Sequence, residues 1–332
     1  MNFIDTDTAS QRLREKAINV SEKKLLITNF YNSKQEEDLT EPPNCNGFGR
    51  VRHFKLGAGN SWPLNPLPIL PAGKALNKEF GSEIRAQVFQ NSVCNWRCWY
   101  CFVDFKLLNG DEKHSAFLSC DEMLDLYLEQ INLPEMIDLT GGQPDLTPEW
   151  VPWMMEALTD RNLHENIFLW SDDNLSNDYF WKYLTNKQID RICNYKMYSR
   201  VCCFKGIDET SFSLNTKADP KLFTRQFDLC RRLHQLGIDL YFYITLTASA
   251  STDFKSEVPK FLDKVQMIHP NIPLRIVPLQ ILEFTPVKPR MNETTNDLIK
   301  GQYEAIEVWK TELQRRFNIS MLEKQITEIP IQ

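Results

Sequence analysis

Cys94-Asn95-Trp96-Arg97-Cys98-Trp99-Tyr100-Cys101 places three cysteines at the spacing C-x3-C-x2-C within one short stretch. Thiolates are soft ligands, suited to zinc or to iron–sulfur clusters. A [4Fe–4S] cube normally takes four cysteines, one per iron. Three close cysteines with no fourth nearby would leave one iron open. An open iron can bind a small molecule through a nitrogen and an oxygen, and so do chemistry rather than only carry electrons. A zinc site or three unrelated core cysteines are the alternatives, because free cysteine is often buried.

Outward from this stretch the chain alternates strand and helix. Residues 84–90 read as a strand that leads into the cysteines. Ser119 with Glu122 three residues on forms a capping box for a helix to about residue 132. Residues 136–140 are a short buried strand, and Thr147-Pro148 opens the next helix, with proline at its first position. Further strands are expected over 166–171, 200–205, 238–245 and 274–281. Helices are expected near 177–184, from Asp219-Pro220 to Gly237, near 255–268 and near 294–317. Repeated βα units of one hand imply a parallel sheet covered by helices. Periodicity alone does not separate a partial barrel from an open doubly wound sheet.

Residues 1–82 read differently. Gln35-Glu36-Glu37-Asp38 and Glu41-Pro42-Pro43 are loop-like, and the stretch 62–71 (WPLNPLPILP) carries four prolines in ten residues. Proline lacks a ladder donor and restricts its predecessor, so irregular or extended chain is expected here. The stretch is also apolar, which suits a strap packed on the main domain or a wall of a substrate pocket.

The chain of 332 residues is 42% hydrophobic and 25% charged, with a net charge of −6. That is an ordinary globular composition, long enough for a full core. Without a dense Lys/Arg run, nucleic acid is not suggested as a partner. Residues 1–16 lack an apolar signal region, and the apolar runs are too short to span a bilayer, so no membrane is expected. Nine cysteines in no disulfide-like spacing suit a reducing cytoplasm. The five histidines form neither H-x3-H nor HExxH.

The cysteine spacing, with the aromatic Tyr100 before the last cysteine, resembles the radical S-adenosylmethionine (radical SAM) superfamily. About 40 residues on, Thr140-Gly141-Gly142-Gln143-Pro144 is similar to that family's GGEP motif, with Gln143 in place of the usual Glu. The resemblance covers about residues 83–285. It implies an α/β partial (β/α)6 TIM-type barrel over 83–285, an irregular N-terminal extension over 1–82 packing on the barrel, and a C-terminal helix and tail over 286–332. It implies one [4Fe–4S] cluster on Cys94, Cys98 and Cys101 and a bound S-adenosylmethionine. The reaction implied is reductive cleavage of SAM to methionine and a 5′-deoxyadenosyl radical, which takes hydrogen from a substrate.

Ligands of parallel α/β folds sit at the carboxyl ends of the strands. There the resemblance places Tyr100 near the adenine, and Gly141, Gly142, Gln143 and Pro144 at the methionine amino group. A Gln carbonyl oxygen can accept that hydrogen bond without charge. Ser171, Asp172 and Asn174, after the third strand, are candidates for the methionine or ribose, with helix capping as the alternative. Lys205 reaches the SAM carboxylate or ribose, or forms a structural salt bridge with Asp208 as the candidate partner. Cys202 and Cys203 point to opposite faces of a strand and read as core. Gln280, Glu283 or Arg290 could face the substrate. No cysteine follows Cys230, so one cluster is expected.

The substrate stays open, because function lies in the site rather than the fold. A small molecule is favoured, with the extension closing the barrel over it and a flavodoxin- or ferredoxin-type protein as electron donor. The alternatives are an activase that installs a glycyl radical on a protein partner, a peptide or RNA modifier, and a non-catalytic iron–sulfur protein.

Overall fold

Six apolar runs become six strands lying side by side in chain order. The computed structural model describes residues 3–57 and 62–332. In sequence the elements are α1 (Thr6–Ala17), β1 (Ile18–Asn19), β2 (Lys24–Thr28), β3 (Gly49–Lys55), α2 (Ile69–Leu76), β4 (Glu83–Gln90), β5 (Ser115–Ser119), α3 (Cys120–Leu128) and β6 (Met136–Thr140). There follow α4 (Trp150–Asp160), β7 (Phe168–Asp173), α5 (Tyr179–Tyr183), α6 (Asn186–Asn194), β8 (Tyr198–Phe204), α7 (Glu209–Thr216) and α8 (Phe223–Gln235). The chain ends with β9 (Leu240–Thr245), α9 (Phe254–Gln266), β10 (Ile276–Leu279), α10 (Glu293–Arg316) and α11 (Ile319–Leu322).

The main sheet has the order β10-β9-β8-β7-β6-β4-β3. From β4 to β10 every pairing is parallel, and β3 pairs antiparallel on the far side of β4. Strand order follows chain order throughout, so the sheet winds one way and lacks the reversal of a doubly wound fold. Flat, its edge strands β3 and β10 would lie roughly 29 Å apart at ~4.8 Å per strand. Arg50 on β3 and Leu279 on β10 nevertheless line one cavity. The sheet is therefore curled, and its edges do not pair with each other. This is the expected partial (β/α)6 barrel, with β3 added to it.

Alternation along the strands builds two cores. Ile84, Ala86, Met136, Phe168, Trp170, Val201, Tyr241, Tyr243 and Val277 fill the concave side. Phe89, Ile137, Leu139, Leu169, Cys202, Phe204, Phe242 and Ile244 pack outward against the helices. α3 starts on the Ser119–Glu122 capping box, with both reciprocal bonds made. The helix expected from Thr147-Pro148 instead begins at Trp150, because Pro144–Leu146 forms a 3-10 turn and Thr147 is not helical.

The leading segment has more regular structure than its composition suggests. α1, β1, β2 and β3 all lie within it, and β2 pairs antiparallel with β5. The proline-rich stretch is irregular only at first; Ile69–Leu76 is helical. Leu67, Ile69 and Ala72 join the concave core beside Phe54, Ile84, Met136 and Phe168, so the strap plugs the amino-terminal end of the barrel. All nine cysteines are free thiols. No helix among the described residues is long and apolar enough to cross a membrane.

Candidate active site

β4 delivers the chain to the open mouth of the barrel, and the cysteine loop begins four residues later. Val93 bridges to Asn109, and the Cys94 N–H donates to Leu108 O at 3.1 Å. α1 holds the loop from behind. Asn95 donates to Ser10 Oγ at 2.9 Å, and the Trp96 indole N–H donates to Thr6 Oγ1 at 3.2 Å. Arg97 folds back onto the carbonyls of Cys94 and Trp96, at 2.5 and 2.8 Å. Arg290 donates to the carbonyls of Cys101 and Val103, at 2.7 and 2.9 Å, with its guanidinium 3.5 Å from the Phe105 ring centroid.

Cys94, Cys98 and Cys101 line one cavity of about 470 Å³, within the usual range for a small-molecule site. Burial pushes all three thiols above the ordinary value, Cys98 to about 12. Among the described residues no three His, Cys, Asp or Glu side chains are placed around a single metal ion. The thiolates of a four-iron cluster bind different irons and stand further apart than the ligands of one ion. Three thiols on one cavity wall, on a backbone fixed from both sides, fit a cluster with three protein ligands. Metal binding there would have to displace the thiol protons.

The glycine pair follows β6 and interlocks with this loop. Gly141 and Gly142 have φ of +73° and +58°; a Cβ on Gly142 would stand 2.1 Å from Val93 O, and one on Gly141 2.1 Å from Gln90 Cγ. Only glycine fits such a double requirement. The close approach is thus to the chain itself, although both residues also line the cavity.

Gln143 does not face the cavity. It is 0% exposed, its Nε2 donates to Asp173 Oδ1 at 2.9 Å, and its Oε1 accepts from Asn174 N at 2.9 Å. Both ends of the amide are engaged, so its expected contact with a methionine amino group is not available in this arrangement. Pro144 opens the buried turn after it and does not line the cavity. Ser171 lies on the helix side of β7, bonded to Tyr198 OH at 2.7 Å. Arg290 clamps the cysteine loop instead of facing a substrate, and Glu283 is exposed.

Tyr100, Asp172, Asn174, Lys205 and Gln280 do line the cavity with the cysteines. Asp172 accepts from Thr140 Oγ1, and Tyr100 OH donates to Thr245 Oγ1 at 3.3 Å. Asn174 Nδ2 donates to Gly142 O at 2.9 Å, tying two strand ends together. Lys205 is 9% exposed and makes no ion pair with Asp208, which caps α7 instead. Burial opposes its charge, yet the sulfurs of Cys203, Cys98, Cys94 and Cys101 outweigh this and hold its pKa above the ordinary lysine value.

Several lining residues are not apparent from local sequence. Cys202 and Cys203 do fall on opposite faces, but Cys203 lines the cavity and is not simply core. Trp170, Tyr243 and Phe102 join it, as do Arg50 and Arg52 from β3. The signal for the arginines was the alternation of Arg50, Arg52 and Phe54, which puts all three on one strand face.

No family model matches the chain, and no curated protein matches it. Among solved structures, SuiB of Streptococcus suis bound to S-adenosylmethionine aligns with a TM-score of 0.43 and 14% identity, covering 67% of this chain and 46% of that one. SuiB bound to precursor peptide SuiA aligns with a TM-score of 0.37 and 13% identity over 63% and 45%. Native anSMEcpe with bound AdoMet and Cp18Cys peptide aligns with a TM-score of 0.40 and 14% identity over 58% and 49%. The aligned region spans less than half the length of each of these chains. Likeness at this level carries no argument about ligand or reaction.

Proposed function

We propose that the chain is a radical SAM enzyme with a single [4Fe–4S] cluster. The observation that carries the proposal is the C-x3-C-x2-C loop at the carboxyl end of the first barrel strand, with its three thiols on the cavity wall and the Gly141-Gly142 turn packed against it. Cys94, Cys98 and Cys101 would hold the cluster, leaving one iron for SAM. Bound there, the cluster would supply the one electron needed for reductive cleavage of SAM, and the cavity would hold a substrate C–H bond for hydrogen-atom transfer.

The chain's own part is binding, orientation and exclusion of water. Lys205 is a buried ammonium with no carboxylate partner among the described residues, which suits the SAM carboxylate. Asp172 lines the cavity at the end of β7 while Gln143 is turned away, and it suits the amino group or a ribose hydroxyl. Tyr100 offers a ring for the adenine. Asp38 accepts from Thr285 N and Oγ1, at 2.9 and 2.8 Å, and so ties the leading segment to the loop after β10 at the mouth. That closure favours a small-molecule substrate; a peptide or protein partner would need the bridge to part.

The test is spectroscopic. Anaerobic reconstitution with iron and sulfide is expected to give about four irons per chain. The reduced protein is expected to show a paramagnetic cluster signal that changes when SAM is added. Retention of one zinc per chain and no iron would contradict the proposal.

A further inference from the structure

Arg50 is a buried cation with no carboxylate in ion-pair contact among the described residues. It is 5% exposed, and its Nε and Nη2 have no hydrogen-bond partner. No ion pair among the described residues includes it. Its surroundings are aromatic, with the Phe30 and Phe102 ring centroids 5.8 and 5.7 Å from its Cζ. Arg52, two residues on and on the same face of β3, lies 5.9 Å from the Phe102 centroid and 4.1 Å from that of Phe54. Both arginines line the cavity that the three cysteines line, and Phe102 directly follows Cys101.

Two buried carboxylates act on Arg50 through space without pairing with it: Asp172, which accepts from Thr140 Oγ1, and Asp138, which is 0% exposed and has no hydrogen-bond partner on either oxygen. Register sets Arg50 and Asp138 on the same face of the sheet, two strands apart. Arg50 is opposite Val88, and Val88 is opposite Asp138, so a whole strand lies between them. Two strand spacings amount to about 10 Å. Burial, reinforced by Asp172, holds the Asp138 carboxyl well above the ordinary range, against the opposing pull of Arg52 and Arg50. Burial and the neighbouring Arg52 lower Arg50 to about 9, with Asp138 and Asp172 opposing the shift. An unpaired buried guanidinium is among the more expensive groups a fold can carry, and the group that matches a guanidinium is the oxygen pair of a carboxylate or phosphate.

We infer that Arg50, with Arg52 beside it, forms an oxyanion site in the cavity, and that the substrate carries a carboxylate or phosphate group docked there. The assignment of the group to the substrate rests on the cavity being the active site proposed above; the anion site itself does not. The distance from the cysteine loop is about one aromatic ring, so the anchored end would hold the rest of a small substrate near the SAM site. The aromatic walls exclude water and strengthen the ion pair once formed.

The experiment is thermal melting of the reconstituted protein without reductant, in sodium chloride, phosphate or acetate at equal ionic strength. Phosphate or acetate is expected to raise the midpoint by a few degrees over chloride, the larger response identifying the group. Arg50→Met is expected to melt in chloride at or above the wild-type midpoint, since an unpaired charge is removed, and not to respond to either anion. If that variant does not fold, Arg50→Gln serves as the control, because phosphate also stabilises folded proteins by exclusion from their surface. Equal midpoints in all three salts would overturn the inference, as would an Arg50→Met protein that folds but melts well below wild type in chloride. If SAM displaces the anion response, the site belongs to the SAM carboxylate and the substrate assignment is overturned. An anion response in a protein that never yields 5′-deoxyadenosine would instead overturn only the radical reading.

Discussion

Gln143 illustrates how a single side chain can be correctly placed in sequence and still take a different job. It occupies the third position of a Gly-Gly-x-Pro turn at the end of β6, where a ligand contact is expected. Asp173, thirty residues on, accepts from its amide instead, and Asp173 is in turn held by Arg200 at 3.2 Å. The consequence is testable. Gln143→Glu would set a second carboxylate against Asp173 in a buried site and remove its donor. The variant is expected to lose about 2–3 kcal/mol of stability in denaturant unfolding at neutral pH. Unchanged stability with altered SAM binding would show that the side chain faces the ligand after all. Local sequence could not reveal this orientation, because the partner that decides it lies on another strand.

At the scale of elements, β3 is the main departure from the sequence reading. Its residues Gly49–Lys55 include two arginines, a histidine and a lysine, and such a stretch looks like solvated loop. The strand forms because its charged side chains find a cavity and an ion-pair network rather than water. His53 Nδ1 meets Glu83 Oε1 at 2.5 Å, and Nε2 meets Glu41 Oε1 at 2.7 Å. The bond to Glu83 raises the His53 pKa above its ordinary value, against a smaller opposing effect of burial. A folded-state pKa above the unfolded one stabilises fully below about pH 6.5, and the contribution is lost as pH rises through the folded value. Unfolding free energy measured against pH should therefore fall over that window in the wild type, and this step should be missing in His53→Gln. The same step in both proteins would contradict the role given to His53. The parallel strands, by contrast, were legible because burial on both faces demands nearly continuous apolar runs. The cysteine loop was legible because its ligands lie within eight residues.

The whole molecule is a curled sheet closed at one end by the Leu67–Ala72 strap and served at the other by the cysteine loop. The leading segment contributes to both ends. α1 steadies Asn95 and Trp96, β3 supplies the two cavity arginines, and Asp38 bridges to Thr285 at the mouth. None of these contacts is local in sequence, so the segment read as a strap or a pocket wall without the residues that make either. The central claim, that this arrangement generates a radical from SAM, is tested most directly by product analysis. The reconstituted protein is reduced anaerobically with dithionite, SAM is added, and 5′-deoxyadenosine is measured alongside Cys98→Ala treated identically. The account predicts 5′-deoxyadenosine from the wild type and none from Cys98→Ala. Equal formation by both proteins, or a fully assembled cluster that binds SAM and never cleaves it with any oxyanion-bearing substrate, would contradict it.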